Sequence, residues 1–261
     1  MAGLSWQPVI VALGSDPKSE VAAAQGLKHG WMATLGGIPV LARVHAMLHD
    51  PAHDRTILLA TDDEASVARV LARDMRFVRI VPAAGTTAAS ALAAGQISGR
   101  YPIIIVKAEA ALLSPRLIRA FQLASLKSGA DATAAFVTAD GMRKAFPDMR
   151  HNTTRLGEDN IKFCGMIAIM SPNGLKLLDT WTNIEREKRS KAGIARAIGF
   201  GTYLRYLFGK LSLDQAFGEL SKLAGMTARP ILLARPEAGL DLSRKADFAV
   251  AENLVRLPHQ R

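Results

Sequence analysis

The sequence predicts an α/β chain, a three-layer α/β/α sandwich around a mostly parallel central sheet. Three observations predict it. Between residues 9 and 137, short apolar runs alternate with segments of helical periodicity, the order that builds right-handed β–α–β crossovers. The apolar runs are apolar throughout rather than at every second position, as in strands covered on both faces. The 261 residues are 49% hydrophobic and 21% charged. A chain of that size buries about three quarters of its unfolded surface, so a single unstapled domain over 1–261 is expected.

The elements follow in order. Residues 9–13 form the first strand, which ends at Gly14; residues 15–37, rich in Gly and Ala, read as irregular. Residues 39–48 are helical, with Val40, Leu41, Val44, Met47 and Leu48 on one face. A strand at 56–60, a helix at 64–74 and a strand at 77–81 come next, with Val67, Val70 and Leu71 facing inward. An Ala-rich helix at 87–97 leads to a strand at 103–106. Ser114 and Pro115 are the cap and first residue of a helix that stops before Gly129, and a strand at 132–137 closes the alternation. Residues 141–160 are polar and turn-rich, expected as a loop or hairpin over the sheet. A strand at 163–170, helices at 175–188, 194–208 and 212–223, a strand at 229–234 and a helix at 246–254 complete the reading.

Composition narrows the function classes. Cys164 is the one cysteine, so no internal disulfide forms; a small buried hydrophobe is the expected role. No apolar run approaches the ~18 residues of a membrane span, the candidate at 102–106 being strand-sized, and residues 1–8 lack a basic region before an apolar stretch. A cytoplasmic protein without a transmembrane segment is expected. The net charge of +10 favours anionic partners: nucleotides, phosphorylated substrates, nucleic acid or anionic lipid. No zinc-finger spacing, aromatic RNA-binding motif or basic zipper occurs, so specific nucleic-acid reading is not expected.

In an open α/β sheet, ligands bind over the carboxyl ends of the strands, which selects the loops at 14–37, 85–90, 107–113, 162–166 and 240–247. The first holds Gly14, Ser15, Lys18 and Lys28; glycines admit phosphates to the backbone and lysines neutralise them. It is neither a Walker A loop nor a dinucleotide fingerprint.

Val9-Ile-Val-Ala-Leu-Gly14 followed by Gly36-Gly-Ile-Pro-Val-Leu41 resembles the opening of MobA-like nucleotidyltransferases, which have the glycosyltransferase-A-type, nucleotide-diphospho-sugar transferase-like fold. The stretch 101–115, with Glu109 and Ser114-Pro115, resembles the family's central strand and its acidic turn. Gly239-Leu-Asp241 through Asp247 resembles its tail motif. Order and spacing agree over nearly the whole chain. The resemblance implies transfer of a nucleoside monophosphate from a nucleoside triphosphate to a small phosphorylated or hydroxylated acceptor, with release of pyrophosphate. It implies Mg²⁺ held by Glu109 and Asp241, phosphate contacts from Lys28, and nucleotide contacts from Gly14, Ser15, Lys18, Thr86, Thr87 and Ser90.

Four positions depart from the family pattern. Ser15 stands for the second glycine of the opening pair, Gly30 for the signature lysine, Glu109 for an aspartate, and Ser243 for the tail's second acid; Gly165-Met166 also replaces a common Gly-Asn. The alternative function is therefore a catalytically inactive nucleotide-binding or regulatory module. Plainer readings stand beside several residues. Asp62, Asp63 and Glu64 suit a helix amino terminus, and Thr86, Thr87 and Ser90 suit caps. Lys188, Arg189 and Lys191 would line a solvated helix, grip a phosphate or touch anionic lipid. Pro51 keeps His45, His49 and His53 from sharing one helix face, which argues against a metal site there.

Overall fold

The computed structural model describes residues 5–13, 19–49, 55–147, 153–187, 191–240 and 242–256. Its strands are β1 (Gln7–Ala12), β2 (Thr34–Leu35), β3 (Ile38–Pro39), β4 (Ile57–Thr61), β5 (Val78–Pro82), β6 (Ile103–Lys107), β7 (Ala132–Thr138), β8 (Thr154–Leu156), β9 (Asp159–Ile169) and β10 (Ala228–Leu232). Its helices are α1 (Glu20–Ala24), α2 (Val40–Leu48), α3 (Glu64–Leu71), α4 (Thr87–Ser98), α5 (Pro115–Ser128), α6 (Ala139–Ala145), α7 (Leu175–Glu187), α8 (Lys191–Ile198), α9 (Phe200–Leu207), α10 (Leu213–Ala224) and α11 (Lys245–Arg256).

The main sheet runs β10-β7-β9-β6-β1-β4-β5, with β8 paired to β9. Every pairing along that path is parallel except those of β9, which runs antiparallel to both β6 and β7. The expected architecture is what forms. β1 and β4 are buried along their whole length, as wholly apolar strands in a covered sheet must be. On one face, Val40 and Val44 of α2, Val67 of α3, Phe121 of α5 and Phe248 of α11 pack against Ile10, Leu59 and Ile104. On the other, Ala91 of α4, Leu177 of α7 and Phe217 of α10 meet Val9, Ile105 and Phe136. Helix starts follow local chemistry: Ser114 accepts from the Leu117 amide at the head of α5, and Ser212 and Gln215 form a capping box on α10.

Several boundaries differ from the sequence reading. The irregular stretch 15–37 contains α1 and half of the β2–β3 hairpin. The polar stretch 141–160 contains most of α6, capped by Thr138, and the β8–β9 hairpin. β9 begins four residues earlier than expected, because its polar start is held by pairing with β8 rather than by burial. The helix expected at 64–74 ends at Leu71, where Ala72 turns to φ 47°. The helix expected at 194–208 is two helices, broken at Gly199, whose φ of 85° only glycine adopts readily.

The far edge of the sheet is pinned by Asp131. Its carboxylate accepts from Thr227 N at 2.9 Å, Thr227 Oγ1 at 2.8 Å, Ser171 Oγ at 2.7 Å and Asn173 Nδ2 at 3.2 Å, joining the starts of β7 and β10 to the end of β9. These donors, the Thr227 amide foremost, hold its pKa at about 2, below the ordinary value near 4. A depressed carboxylate stabilises the fold above its unfolded pKa and ceases to do so as pH falls through its folded one. Asp131→Ala should cost about 2 kcal/mol at neutral pH, roughly 4–8 °C in Tm. The gap from wild type should close between about pH 4 and pH 2. Equal melting temperatures at pH 7 would refute this role.

Candidate functional site

The carboxyl ends of β1, β4, β5 and β6 lie along one edge, and the polar loops gather there. The turn after β6 is tied to β1: Ala108 N donates to Val11 O at 3.0 Å, and Ala110 N to Lys107 O closes the turn at 3.0 Å. Glu109 sits on this turn, half-buried. Across from it Gly165 of β9 has φ 72°, and a Cβ there would stand 3.4 Å from Lys107 Cβ and 3.5 Å from Ala110 Cβ. Those are ordinary contacts, so a side chain has room beside the acidic turn; it is the left-handed φ that calls for glycine.

The tail closes on the first loop. Val21 N donates to Ser243 O at 3.3 Å, and Lys245 N to Glu20 Oε2 at 3.1 Å. The start of α1 and the start of α11 therefore abut, although more than 220 residues separate them in sequence. Gly14, Ser15, Lys18 and Asp241 lie outside the described residues. Asp241 is flanked by Leu240 and Leu242, both buried. Glu109 is a hard oxygen donor on a turn fixed to two strand ends, the ligand type that magnesium takes. Among the described residues no group of three or more His, Cys, Asp or Glu is arranged to hold a metal.

Lys28 is fixed by Asp63. Its Nζ lies 2.6 Å from Asp63 Oδ2 while the side chain remains 67% exposed. The same oxygen meets His29 Nε2 at 2.7 Å and accepts from Ser66 Oγ at 2.8 Å, and Asp63 Oδ1 accepts from Ser66 N to cap α3. Lys28, then His29 and Ser66, hold the Asp63 carboxyl well below its usual range. Buried His29 stacks on Trp31, whose Nε1 donates to Leu13 O at 3.2 Å. This chain of contacts links α3 to the end of β1. Asp63 is thus the helix cap that the plainer reading expected.

Thr86 and Ser90 also act as supports. Thr86 Oγ1 accepts from Ala89 N, and fully buried Ser90 accepts from Ala84 N at 2.9 Å, so both hydroxyls shape the turn before α4. Thr87 opens that helix, half-buried. Cys164 is buried, and burial pushes its thiol up to about 12, in keeping with the role of a small hydrophobe. His45 and His49 stack on each other; His53, Lys188 and Arg189 lie outside the described residues.

Sequence reasoning missed Lys162. It stands in β9, three residues or about 10 Å from Gly165. Its ammonium is 3.9 Å from the buried carboxylate of Asp247 on α11, and its Nζ has no hydrogen-bond partner among the described residues. A lysine between Ile161 and Phe163 was the available signal. A separate cavity of about 390 Å³ opens farther along the same edge, lined by Asp140, Glu158, Asp159 and Asp214 with Ile161 and Leu232 among others. Four carboxylates give it the wrong sign for a polyphosphate.

No family model and no curated protein matches the sequence. Solved structures do. A hypothetical transferase from Thermus thermophilus superposes with a TM-score of 0.71 at 18% identity, covering 93% of this chain and 99% of that one. CMP:2-keto-3-deoxy-manno-octonic acid synthetase in complex with CTP gives 0.59 at 12% identity, covering 96% and 98%. 2-C-methyl-D-erythritol 4-phosphate cytidylyltransferase, also from Thermus thermophilus, gives 0.56 at 13% identity, covering 97% and 100%. The fold is the nucleotide-diphospho-sugar transferase fold.

The Asp63 cluster yields an asymmetric prediction. Lys28→Met removes an exposed ion pair and should cost less than about 1 kcal/mol. Asp63→Ala removes the α3 cap, the contacts to both Ser66 groups and one polar partner of buried His29, and should cost at least about 2 kcal/mol. Urea unfolding of the two variants measures both; equal costs would show that the carboxylate serves Lys28 alone.

Proposed function

We propose that this chain is a nucleotidyltransferase, moving a nucleoside monophosphate from a triphosphate to a small hydroxylated or phosphorylated acceptor. The observation that carries the reading is convergence. The loop after β1, the acidic turn after β6 and the tail before α11 resemble three motifs of one family, and hydrogen bonds draw their flanks to one edge of the sheet. The synthetase seen with CTP and the cytidylyltransferase among the superposable structures support the same activity. The MobA-like branch within that fold rests on the motifs alone.

In the proposed reaction an acceptor oxygen bonds to the α-phosphorus and the bond to the β-phosphate oxygen breaks. Pyrophosphate leaves with the electron pair, and an acceptor hydroxyl gives its proton to solvent. Little covalent chemistry falls to the protein, so position and charge carry the rate. Glu109 and Asp241 would hold magnesium, which when bound would offset the charge of the phosphates and of the departing pyrophosphate. Lys28 has one N–H engaged by Asp63 and two more to offer a phosphate oxygen from its exposed side. Lys162, behind the acidic turn, supplies the second cation, in place of the lysine that the family pattern would put at Gly30.

A thermal-shift panel of the four ribonucleoside triphosphates, with and without magnesium, tests the reading. One triphosphate at a hundred times its Kd should stabilise the chain by about 2.7 kcal/mol, in magnesium only. Glu109→Gln should keep the fold and abolish that dependence, since the amide keeps shape but loses charge. Lys162→Met should weaken triphosphate binding with or without metal. Stabilisation indifferent to magnesium would favour the inactive binding module, and no response to any nucleotide would overturn both.

A further inference from the structure

α9 leaves large apolar side chains in solvent. Five of its eight residues are apolar or aromatic, yet none is buried. Phe200, Tyr203, Leu204 and Leu207 fall at i, i+3, i+4 and i+7, one stripe of the helix. Phe200 is 69% exposed, Leu207 55%, and Phe208 at the carboxyl cap 72%. Tyr203 and Leu204, in the middle of the stripe, are half-buried, and Arg205, also half-buried, lies 3.6 Å from Glu219 of α10. The exposed apolar surface is at the two ends, Phe200 and Leu207 with Phe208, and it is there that a partner can be met.

Charge identifies the partner. Residues 186–210 hold seven basic side chains against Glu187 alone, more than half of the chain's net +10. Arg196 and Lys210, on either side of the stripe in sequence, are exposed. Phe200 and Leu207 bring apolar insertion and the basic residues bring attraction to anionic headgroups, the two signals that together hold a protein on a bilayer. A second copy fits poorly, because a two-fold contact would set this basic surface against itself. Nucleic acid shares the charge but offers no acyl layer for Leu207. Among the described residues no helix is long and apolar enough to cross a membrane, so the geometry is that of a helix lying on the surface.

We propose that α9 docks the protein on anionic lipid bilayers, with Phe200, Leu207 and Phe208 entering the acyl boundary and the flanking basic residues facing the headgroups. The full chain is sedimented with phosphatidylcholine vesicles, with and without roughly a third phosphatidylglycerol, at about 0.15 M salt. Wild type should pellet with the anionic vesicles only. Phe200→Ser, Leu207→Ser and Phe208→Ser combined should lower partitioning by about tenfold per side chain. Arg196→Gln with Lys210→Gln should lower it about fivefold per charge. All the substituted side chains are exposed, and an unchanged Tm confirms the fold. Absent pelleting, or equal pelleting of wild type and the triple variant, overturns the proposal. So does a lipid-free dimer that the triple variant dissolves, or a tight complex with single-stranded RNA that the same variant loses.

Discussion

The candidate site depends on the direction of one strand. β9 lies between β6 and β7 and opposes both. Had it run parallel, its amino end would sit at the far edge of the sheet. Reversed, it brings Lys162 and Gly165 to the edge where β1, β4 and β6 end. Its register slips between Ala134 and Phe136 of β7, opposite residues 163–167. Such irregularities re-aim side chains near functional edges. Here the slip lies beside Gly165, whose backbone takes a φ of 72° opposite the acidic turn.

This reversal also explains the limits of reading the sequence. The parallel half was legible because each strand there is a short apolar run covered on both sides, as β1 and β4 are. Past Thr138 that signal fails: β8 and the start of β9 are exposed or half-buried and are held by each other's backbones, so polarity left loop and hairpin undecided and gave no sign of α6. Gly199 gave a local clue that was overridden, because the apolar period of residues 194–208 runs through it while the chain breaks there.

Legibility of the site divides along the same line between local and distant chemistry. Ser114, Ser212 and Asp63 were readable because a cap acts over three residues. The bonds from Asp63 to Lys28 and His29 span more than thirty residues, and the contact of Lys162 with Asp247 spans more than eighty. Nothing in residues 159–169 announces that partner. Only the fold, by laying α11 over the start of β9, puts a buried carboxylate beside that ammonium.

The same geometry changes the meaning of the net charge. From the sequence, +10 argued for anionic partners without saying where on the molecule they would bind. Most of that excess belongs to residues 186–210, outside the loops of the candidate cleft. At the edge itself Lys28, Lys107, Lys162 and Arg244 stand among Asp63, Glu109 and Asp247, and the signs nearly cancel. A triphosphate with several negative charges would meet a surface that offers little net attraction at long range. Its binding would then rest on close contacts and on countercharge arriving with it. On the proposed reading, a divalent cation carried with the substrate would supply that countercharge. The excess basic charge is left to serve the surface around α9, where an extended anionic plane gathers many weak attractions at once.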